Sequence, residues 1–170
     1  PVNLGLVGMH SGAALPLYTA PDAEPSDSHL LVMSGQDVEI TFYRVAEEPV
    51  PSVLRGFSAP VVLDFPYSDE ELAHLLAHDS DFFNRWEAGQ RLGRNLVLAA
   101  YRGTATEADV TAYAAALKKI IDDPAVDDAF KALMLVLPSE SEIAAALCAD
   151  VDTDKVHAAR DGLRTAIAKQ

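Results

Sequence analysis

The sequence of 170 residues contains a single cysteine, Cys148. One thiol makes no disulfide within the chain and provides no cysteine-based zinc site, so the fold depends on neither kind of cross-link. We interpret Cys148 as a small core residue on a helix. Basic residues are also scarce, because 13 Lys and Arg stand against 26 Asp and Glu and give a net charge of −13. This balance is the opposite of what phosphate binding requires, and it argues against nucleic acid as a partner.

Long hydrophobic runs are missing as well. No apolar stretch approaches the ~20 residues that span a bilayer, and the start of the chain has no signal-peptide pattern. We therefore predict a soluble, cytoplasmic protein without membrane partners. The chain opens at Pro1 with no initiator Met and continues in a pattern typical of a strand, which indicates a piece of a longer chain.

Composition changes near Tyr67. Eight of the ten prolines lie up to this residue, whereas 22 alanines follow it. We therefore predict an α+β fold in sequence order with two domains. Residues 1–67 are predicted to form a partial immunoglobulin-like β-sandwich, and residues 68–170 an all-α helical array that begins a helical solenoid.

The first half contains short runs rich in β-branched and aromatic residues, which are typical of strands. The predicted strands cover residues 2–7, 14–19, 30–33, 38–45 and 61–65. Residues 34–37 predict the turn of a hairpin, because Val38, Ile40 and Phe42 alternate with polar residues after it. Residues 20–28 are predicted to be a surface loop. Residues 48–60 alternate proline with apolar residues and predict an extended connector anchored by its side chains.

The second half carries helix signals. Ser68 with Glu71 predicts a capping box, and Gly103 predicts the end of a long helix. Leucines at helical spacing follow Ser68. The five later helices are predicted at residues 81–102, 106–121, 124–136, 139–148 and 153–168.

His74 and His78 form the sharpest local chemical motif, since two histidines four residues apart stand on one helix face as zinc ligands do. A zinc peptidase helix needs Glu directly after the first histidine, and Leu75 occupies that position. His10, His29 and His157 are scattered and indicate no third ligand. We therefore assign no metal-binding, cofactor-binding or catalytic residues, although a small metallohydrolase using His74 and His78 remains a third hypothesis.

Other motifs have structural interpretations. The chain has no nucleophile elbow and no glycine-rich phosphate loop. The acidic pairs 122–123 and 127–128 are interpreted as helix caps around Pro124, and Trp86 as a core residue that docks its helix. Four arginines are candidates for contacts with another domain, with ordinary ion pairs as the simpler interpretation: Arg55, Arg85, Arg91 and Arg94.

Residues 49–72 read PVPSVLRGFSAPVVLDFPYSDEEL, and NRWEAGQ follows at residues 84–90. These segments resemble the bacterial aminopeptidase N family, the alanyl aminopeptidases of the gluzincin class of zinc metallopeptidases. The resemblance is clear over about residues 37–92, where the family joins a small β-sandwich to a C-terminal helical domain. The family's Gly-Ala-Met-Glu-Asn and His-Glu-x-x-His segments are absent here and would lie in a domain before Pro1.

The resemblance implies a non-catalytic part of a zinc-dependent aminopeptidase that removes N-terminal amino acids from peptides. Zinc would be held by the upstream catalytic domain of the same polypeptide, and this part would join that domain to the helical domain that limits access to the active site. Peptides would be substrates of the parent enzyme, and the part alone would be inactive. The alternative is a free-standing protein-interaction module without enzymatic activity.

Overall fold

A computed structural model of the chain describes residues 1–147 and 150–170. These residues divide into two compact units, Pro1–Glu87 and Ala88–Gln170. The first unit contains the strands and the second contains helices only. The predicted core position of Cys148 lies outside the described residues.

The sheet of the first unit is built around one central strand, β1 (Val2–Gly8). β2 (Ala14–Leu15) and β3 (His29–Leu31) pair antiparallel with successive parts of β1. β4 (Pro49–Val53) also pairs antiparallel with β1. Because Leu4 and Leu6 pair with β4 as well as with β3 or β2, β4 lies along the opposite edge of β1 from the other two strands.

Leu4 and Leu6 project from the same face of β1, as expected for residues two apart in a strand. They form a buried cluster with Leu15 and Leu17. Three partly buried side chains pack against this cluster, which are Leu31, Phe42 and Val45. The period-2 pattern of the first residues therefore identified the face of β1 that is buried in this cluster.

Two strand predictions and the hairpin are wrong. Residues 34–42 form no strand, and β3 pairs with β1 instead of with a partner across residues 34–37. Phe42 still reaches the apolar cluster, so its alternating pattern reflects packing without strand pairing. Residues 61–65 also form no strand, and Val62 is 97% exposed. The flanking Pro60 and Pro66 lack the N–H groups that a ladder needs.

β4 was predicted only as an extended connector. Its two prolines are tolerated because it is an edge strand, where a missing donor removes no ladder bond. Side chains satisfy carbonyl groups of this strand, since the Tyr67 hydroxyl donates to Pro51 O at 2.6 Å and Asn84 Nδ2 donates to Val53 O at 3.1 Å. These contacts restrict further strand pairing at this edge.

Helix α1 (Asp69–His78) begins with the predicted capping box. The Glu71 N–H donates to Ser68 Oγ at 3.1 Å, and the Ser68 N–H donates to Glu71 Oε2 at 2.7 Å. Leu72, Leu75 and Leu76 are buried. Helix α2 (Phe82–Arg102) follows, and Gly103, with φ of 76°, ends it as predicted.

The second unit contains the rest of α2 and four further helices, whose bounds are α3 (Glu107–Ile121), α4 (Asp128–Met134), α5 (Glu140–Leu147) and α6 (Thr153–Ile167). The α4 prediction began four residues early, because Asp127 rather than Pro124 marks its N-terminus by accepting the Phe130 N–H. Tyr113 is the largest of the fully buried side chains, and burial raises its pKa to about 12.

Among the described residues, a small antiparallel sheet is followed by six α-helices, as the predicted fold class requires. No described helix combines the length and the hydropathy needed to cross a bilayer.

The cap of α1 gives a direct test of the local structure. Ser68→Ala removes the acceptor for the Glu71 N–H and should lower the free energy of unfolding by about 1 kcal/mol. Urea denaturation of both proteins measures the difference. Ser68→Asp keeps an acceptor at the same position and should restore most of the loss, so an equal loss in both variants would contradict the capping role.

Candidate functional site

Six polar residues lie together where β4, the turn after it and the start of α2 meet in the first unit. We call this cluster the polar joint; its members are Ser52, Arg55, Asp79, Ser80, Asp81 and Asn84. Ser52, Asp79 and Asn84 are buried. The joint therefore connects the strand part of the first unit to its helical part through polar groups, three of which are buried.

The turn that carries Arg55 has an unusual backbone. Leu54, Gly56 and Phe57 all have positive φ, at 69°, 62° and 51°. A left-handed conformation costs roughly 1–2 kcal/mol for a residue with a side chain, so Leu54 and Phe57 need support from their surroundings. The Gly56 N–H supplies part of it by donating to Asp81 Oδ2 at 2.9 Å. The Phe57 ring also contacts Phe83, with centroids 5.2 Å apart.

Arg55 reaches from this turn across the central strand. Its Nη2 donates to Ser80 Oγ at 2.6 Å and lies 3.8 Å from Asp79 Oδ1. The path exists because Gly5 has no side chain, since a Cβ there would lie 2.1 Å from Arg55 Nη1 and 3.1 Å from its Cδ. Gly5 is thus needed for the close approach of the guanidinium to β1.

Asp79 is the most buried charged group of the joint, with its side chain fully excluded from solvent. The Asp81 N–H donates to its Oδ1 at 2.9 Å, whereas its Oδ2 has no hydrogen-bond partner. Burial raises the pKa of Asp79, and the Ser52 hydroxyl, the Asp81 N–H and the Arg55 charge only partly oppose that effect. Desolvation costs several kcal/mol for each buried ion, which is why the shift is upward.

Asn84 ties the start of α2 to β4. Its Nδ2 donates to Ser52 Oγ at 2.8 Å and also to Val53 O. Its own N–H donates to Asp81 Oδ1 at 2.9 Å, so Asp81 caps the first turn of α2. One carboxylate therefore holds both the left-handed turn, through Gly56, and the helix start.

Arg85, next to Asn84, is also buried. Its Nε donates to Leu76 O at 3.2 Å, near the C-terminal end of α1, where backbone carbonyls lack helical partners. A positively charged guanidinium is favourable at this end of α1, because the C-terminus is the negative end of the helix dipole. Among the four candidate arginines, Arg55 lies near a carboxylate as expected and Arg94 helps to lower the pKa of Glu142, whereas Arg85 caps a helix.

His74 and His78 lie close together, with ring centroids 4.8 Å apart. His74 Nε2 donates to the carbonyl of Gly8 at 2.9 Å, and the His78 ring lies against Gly12. Residues 1–147 and 150–170 contain no group of three metal-binding side chains. The pair does not fit a zinc centre, because no third metal-binding side chain joins it among these residues.

The acidic pairs and the tryptophan have structural contacts. Asp127 accepts the Phe130 N–H and caps α4 as predicted. Asp123 accepts the Ala125 N–H in the turn before that helix, so its interpretation as a helix cap is wrong. Asp122 pairs with Lys118 at 3.0 Å. Trp86 is only half-buried and packs on Phe83, with centroids 6.1 Å apart.

Of the polar joint, only Arg55 was predicted from the sequence as a candidate for a functional contact. The available signal was Asp79-Ser80-Asp81 at the break between two helices, where short polar residues cap helix ends. Sequence spacing did not indicate that this segment would meet Arg55, 24 residues earlier. The joint positions and anchors the strand, the turn and the helix start.

Comparison with known families gives two matches that together cover almost the whole chain. A domain of unknown function with an Ig-like fold, DUF3458, matches residues 1–66. A second domain of unknown function with ARM repeats, DUF3458_C, matches residues 69–170. The matches thus change from one family to the other immediately before α1.

Several relatives are named aminopeptidase N. The protein of Caulobacter vibrioides is 41% identical over 155 residues, which is 91% of this chain and 18% of the relative. That of Haemophilus influenzae is 30% identical over 174 residues, covering 96% of this chain and 20% of the relative. The chain thus spans about a fifth of the length of these relatives, and the predicted resemblance to aminopeptidase N is confirmed.

A solved structure is also similar. The aminopeptidase A of Legionella pneumophila, determined in complex with aspartic acid, aligns with a TM-score of 0.74 and 27% identity. The alignment covers 99% of this chain and 18% of that protein. Both comparisons therefore relate the whole chain to a small part of a larger aminopeptidase.

The path of Arg55 over β1 can be tested by adding one methyl group. Gly5→Ala places a Cβ against the guanidinium and should displace it, leaving Asp79 buried without its cation. Because the clashing atoms belong to the flexible side chain of Arg55, we expect a loss of about 1–3 kcal/mol in urea denaturation, as for other insertions into a filled site.

Gly162→Ala is the matched control for this test. Gly162 lies in α6, and a Cβ there meets nothing within 4 Å. The substitution should raise stability by roughly 0.5–1 kcal/mol, because alanine favours helix. A similar small effect at both positions would contradict the described approach of Arg55 to Gly5.

The buried carboxyl of Asp79 predicts a pH dependence. Its pKa is raised in the folded state, so the folded protein binds the proton more tightly and gains stability as the pH falls through that pKa towards 3.8. Asp79→Asn stays neutral and lacks this gain. The stability of the unmodified protein relative to Asp79→Asn should therefore increase from about pH 7.5 to about pH 4, measured by urea midpoints. A relative decrease over that range would contradict burial as the dominant influence.

Proposed function

Because the chain belongs to the DUF3458_C family of ARM-repeat domains and carries an Ig-like DUF3458 domain before it, we propose that it is the non-catalytic joint of a zinc-dependent aminopeptidase. The parent enzyme, an alanyl aminopeptidase, removes N-terminal amino acids from peptides in the cytoplasm. Its catalytic domain lies in another part of the same polypeptide and holds the zinc. The present part joins that domain to the helical domain, which limits access to the active site.

The polar joint is the observation that carries this proposal. Its contacts run from residues matched by the Ig-like family to residues matched by the ARM-repeat family: Arg55 to Ser80, Gly56 to Asp81, and Ser52 to Asn84. Each contact restricts the motion of the last strand relative to the first helices. A connection of this kind suits a part whose task is to hold two domains at a fixed angle.

We place the boundary between the two sequence domains at residues 67 and 68. The change in composition, the family matches and the cap at Ser68 support this position. The compact unit nevertheless extends to Glu87, because α1 and the start of α2 pack with the strands. Residues 68–87 belong to the helical sequence domain and also to the compact unit that contains the strands. This overlap supports a stiff connection instead of a free linker.

Catalysis is assigned to the parent's other domain for a chemical reason. A catalytic zinc needs three protein ligands and one open position. Among the described residues no third metal-binding side chain joins His74 and His78, so the pair does not meet that need. The relatives named aminopeptidase are about five times longer than the matched segment, which leaves ample chain for a separate catalytic domain.

A paired assay tests the proposal. The present chain and its full-length parent are compared for zinc by elemental analysis and for release of a chromophore from an alanyl anilide. We expect stoichiometric zinc and turnover in the parent and neither in the present chain. Zinc-dependent turnover by residues 1–170 alone would overturn the proposal, as would a native protein that begins near Pro1 and only binds partners.

The joining role needs a second measurement in the parent. Gly5→Ala should leave the zinc content unchanged and lower kcat/KM on peptides several-fold, because misplacing a domain misaligns bound substrate. Gly162→Ala is the control that should retain kcat/KM and zinc, and His74→Ala should retain zinc. Loss of zinc in His74→Ala would instead make His74 part of the metal centre.

A further inference from the structure

The two ends of the small sheet in the first unit differ in character. We call the end where β1 starts the leading end, and the end where β1 finishes at Gly8 the trailing end. At the leading end, the last residue of β3 pairs with Val2 and the last residue of β4 pairs with Leu4. The segments that follow β3 and β4 therefore leave the sheet on either side of the start of β1.

Exposed apolar side chains lie in both of these segments. Asn3 of β1 donates its N–H to Ser58 Oγ at 2.8 Å, which places the loop after β4 beside the start of β1. Residues 9–13 and 46–48, at the trailing end, contain no large apolar side chain that is exposed. Five large apolar residues after β3 and β4 are half or more exposed: Val32, Met33, Phe57, Val61 and Val62.

Charged side chains are missing from the same two segments. Residues 28–36 read SHLLVMSGQ and residues 56–63 read GFSAPVVL, so neither contains Asp, Glu, Lys or Arg, although such residues make up 23% of the chain. The centre of a protein–protein contact is depleted in charged residues in this way. An exposed apolar patch of this composition marks an interaction surface.

The loop after β4 is held in shape before it meets a partner. Phe57 keeps its left-handed backbone conformation while its ring contacts Phe83. The Val61 N–H donates to Ala59 O at 2.9 Å, and Pro60 between them fixes its own φ. A surface that is already ordered loses less conformational entropy on docking, so strain and anchoring in this loop favour a binding role.

The path of the chain identifies the partner. Because β1 starts at the leading end, polypeptide that precedes Pro1 in the parent reaches the first unit from this side. The aminopeptidase N relatives are about five times longer than the matched segment. The resemblance to that family puts the catalytic domain before Pro1. The catalytic domain therefore approaches the apolar end of the sheet and not the polar one.

We propose that the leading end of the sheet docks on the catalytic domain of the same polypeptide, with Val62 inside the contact. This inference rests on the proposed function, because it requires the parent's catalytic domain, and it adds the surface through which the connection is made. The docking loop begins at the turn that carries Arg55, which the polar joint fixes to the start of α2. One loop then contacts the catalytic domain on one side and the first helices on the other.

Cysteine labelling tests whether the surface is covered. Val62→Cys and Glu48→Cys are introduced separately into the 170-residue chain and into the full-length parent; Val62 is at the leading end, and Glu48 is exposed at the trailing end. Maleimide labelling is followed by peptide-resolved mass spectrometry, which separates it from labelling of Cys148. Both positions should react rapidly in the 170-residue chain. In the parent, position 62 should react at least about tenfold more slowly, while the rate at position 48 changes less than about twofold.

Photo-crosslinking then identifies what covers the surface. A small aliphatic diazirine amino acid replaces Val62 in the parent, and the crosslinked peptides are sequenced after illumination. We expect peptides from the domain that carries the zinc-binding helix. Rapid labelling of position 62 in the parent would overturn the inference, as would crosslinks confined to residues 1–170. Crosslinks between two copies, together with a dimeric mass in sedimentation, would assign the surface to a second copy instead.

Zinc content and peptidase activity are measured on the same parent samples. A parent without zinc or activity refutes the proposed function whatever the labelling result. An active zinc enzyme in which position 62 is labelled as fast as in the 170-residue chain refutes only the docking surface. The failure of one proposal is therefore distinguishable from the failure of the other.

Discussion

The coupling of strand, turn and helix in the first unit depends on the buried carboxylate of Asp79. Arg55 approaches it only because Gly5 leaves the surface of β1 open, and the left-handed turn at residues 54–57 aims the arginine in that direction. Asp81 then holds the turn and the start of α2 together. Strand, turn and helix start are therefore coupled, since moving any one of them exposes or isolates a buried charge.

This coupling explains why the compact unit and the sequence domains have different boundaries. Composition and the family matches change near residue 67, because strands and helices require different residues. The compact unit extends to Glu87, because α1 contributes Leu72, Leu75 and Leu76 to the core beside β4. In the joining role proposed for the chain, such an overlap makes the connection stiff.

The sequence predicted the elements whose signals are local. Ser68 with Glu71 and Gly103 marked helix ends, and Leu4 with Leu6 marked a buried strand face. The pairing of strands in the sheet was predicted less well, because it depends on residues distant in sequence. Residues 38–42 alternate like a strand yet contribute only Phe42 to the core, whereas the proline-containing β4 pairs fully with β1. The polar joint escaped prediction for the same reason, since Gly5, Arg55 and Asp79 meet only after folding.

Native-state hydrogen exchange on the 170-residue chain tests the coupling most directly. If the polar joint unites strand and helix, the slowest amides of β1, β4 and α1 open with one common free energy, and Gly5→Ala lowers all of them together. The coupling is contradicted if the amides of α1 open at a free energy more than about 1 kcal/mol below that of β1 and β4, while β1 and β4 keep their protection. In that case residues 68–87 would be a loosely attached start of the helical domain.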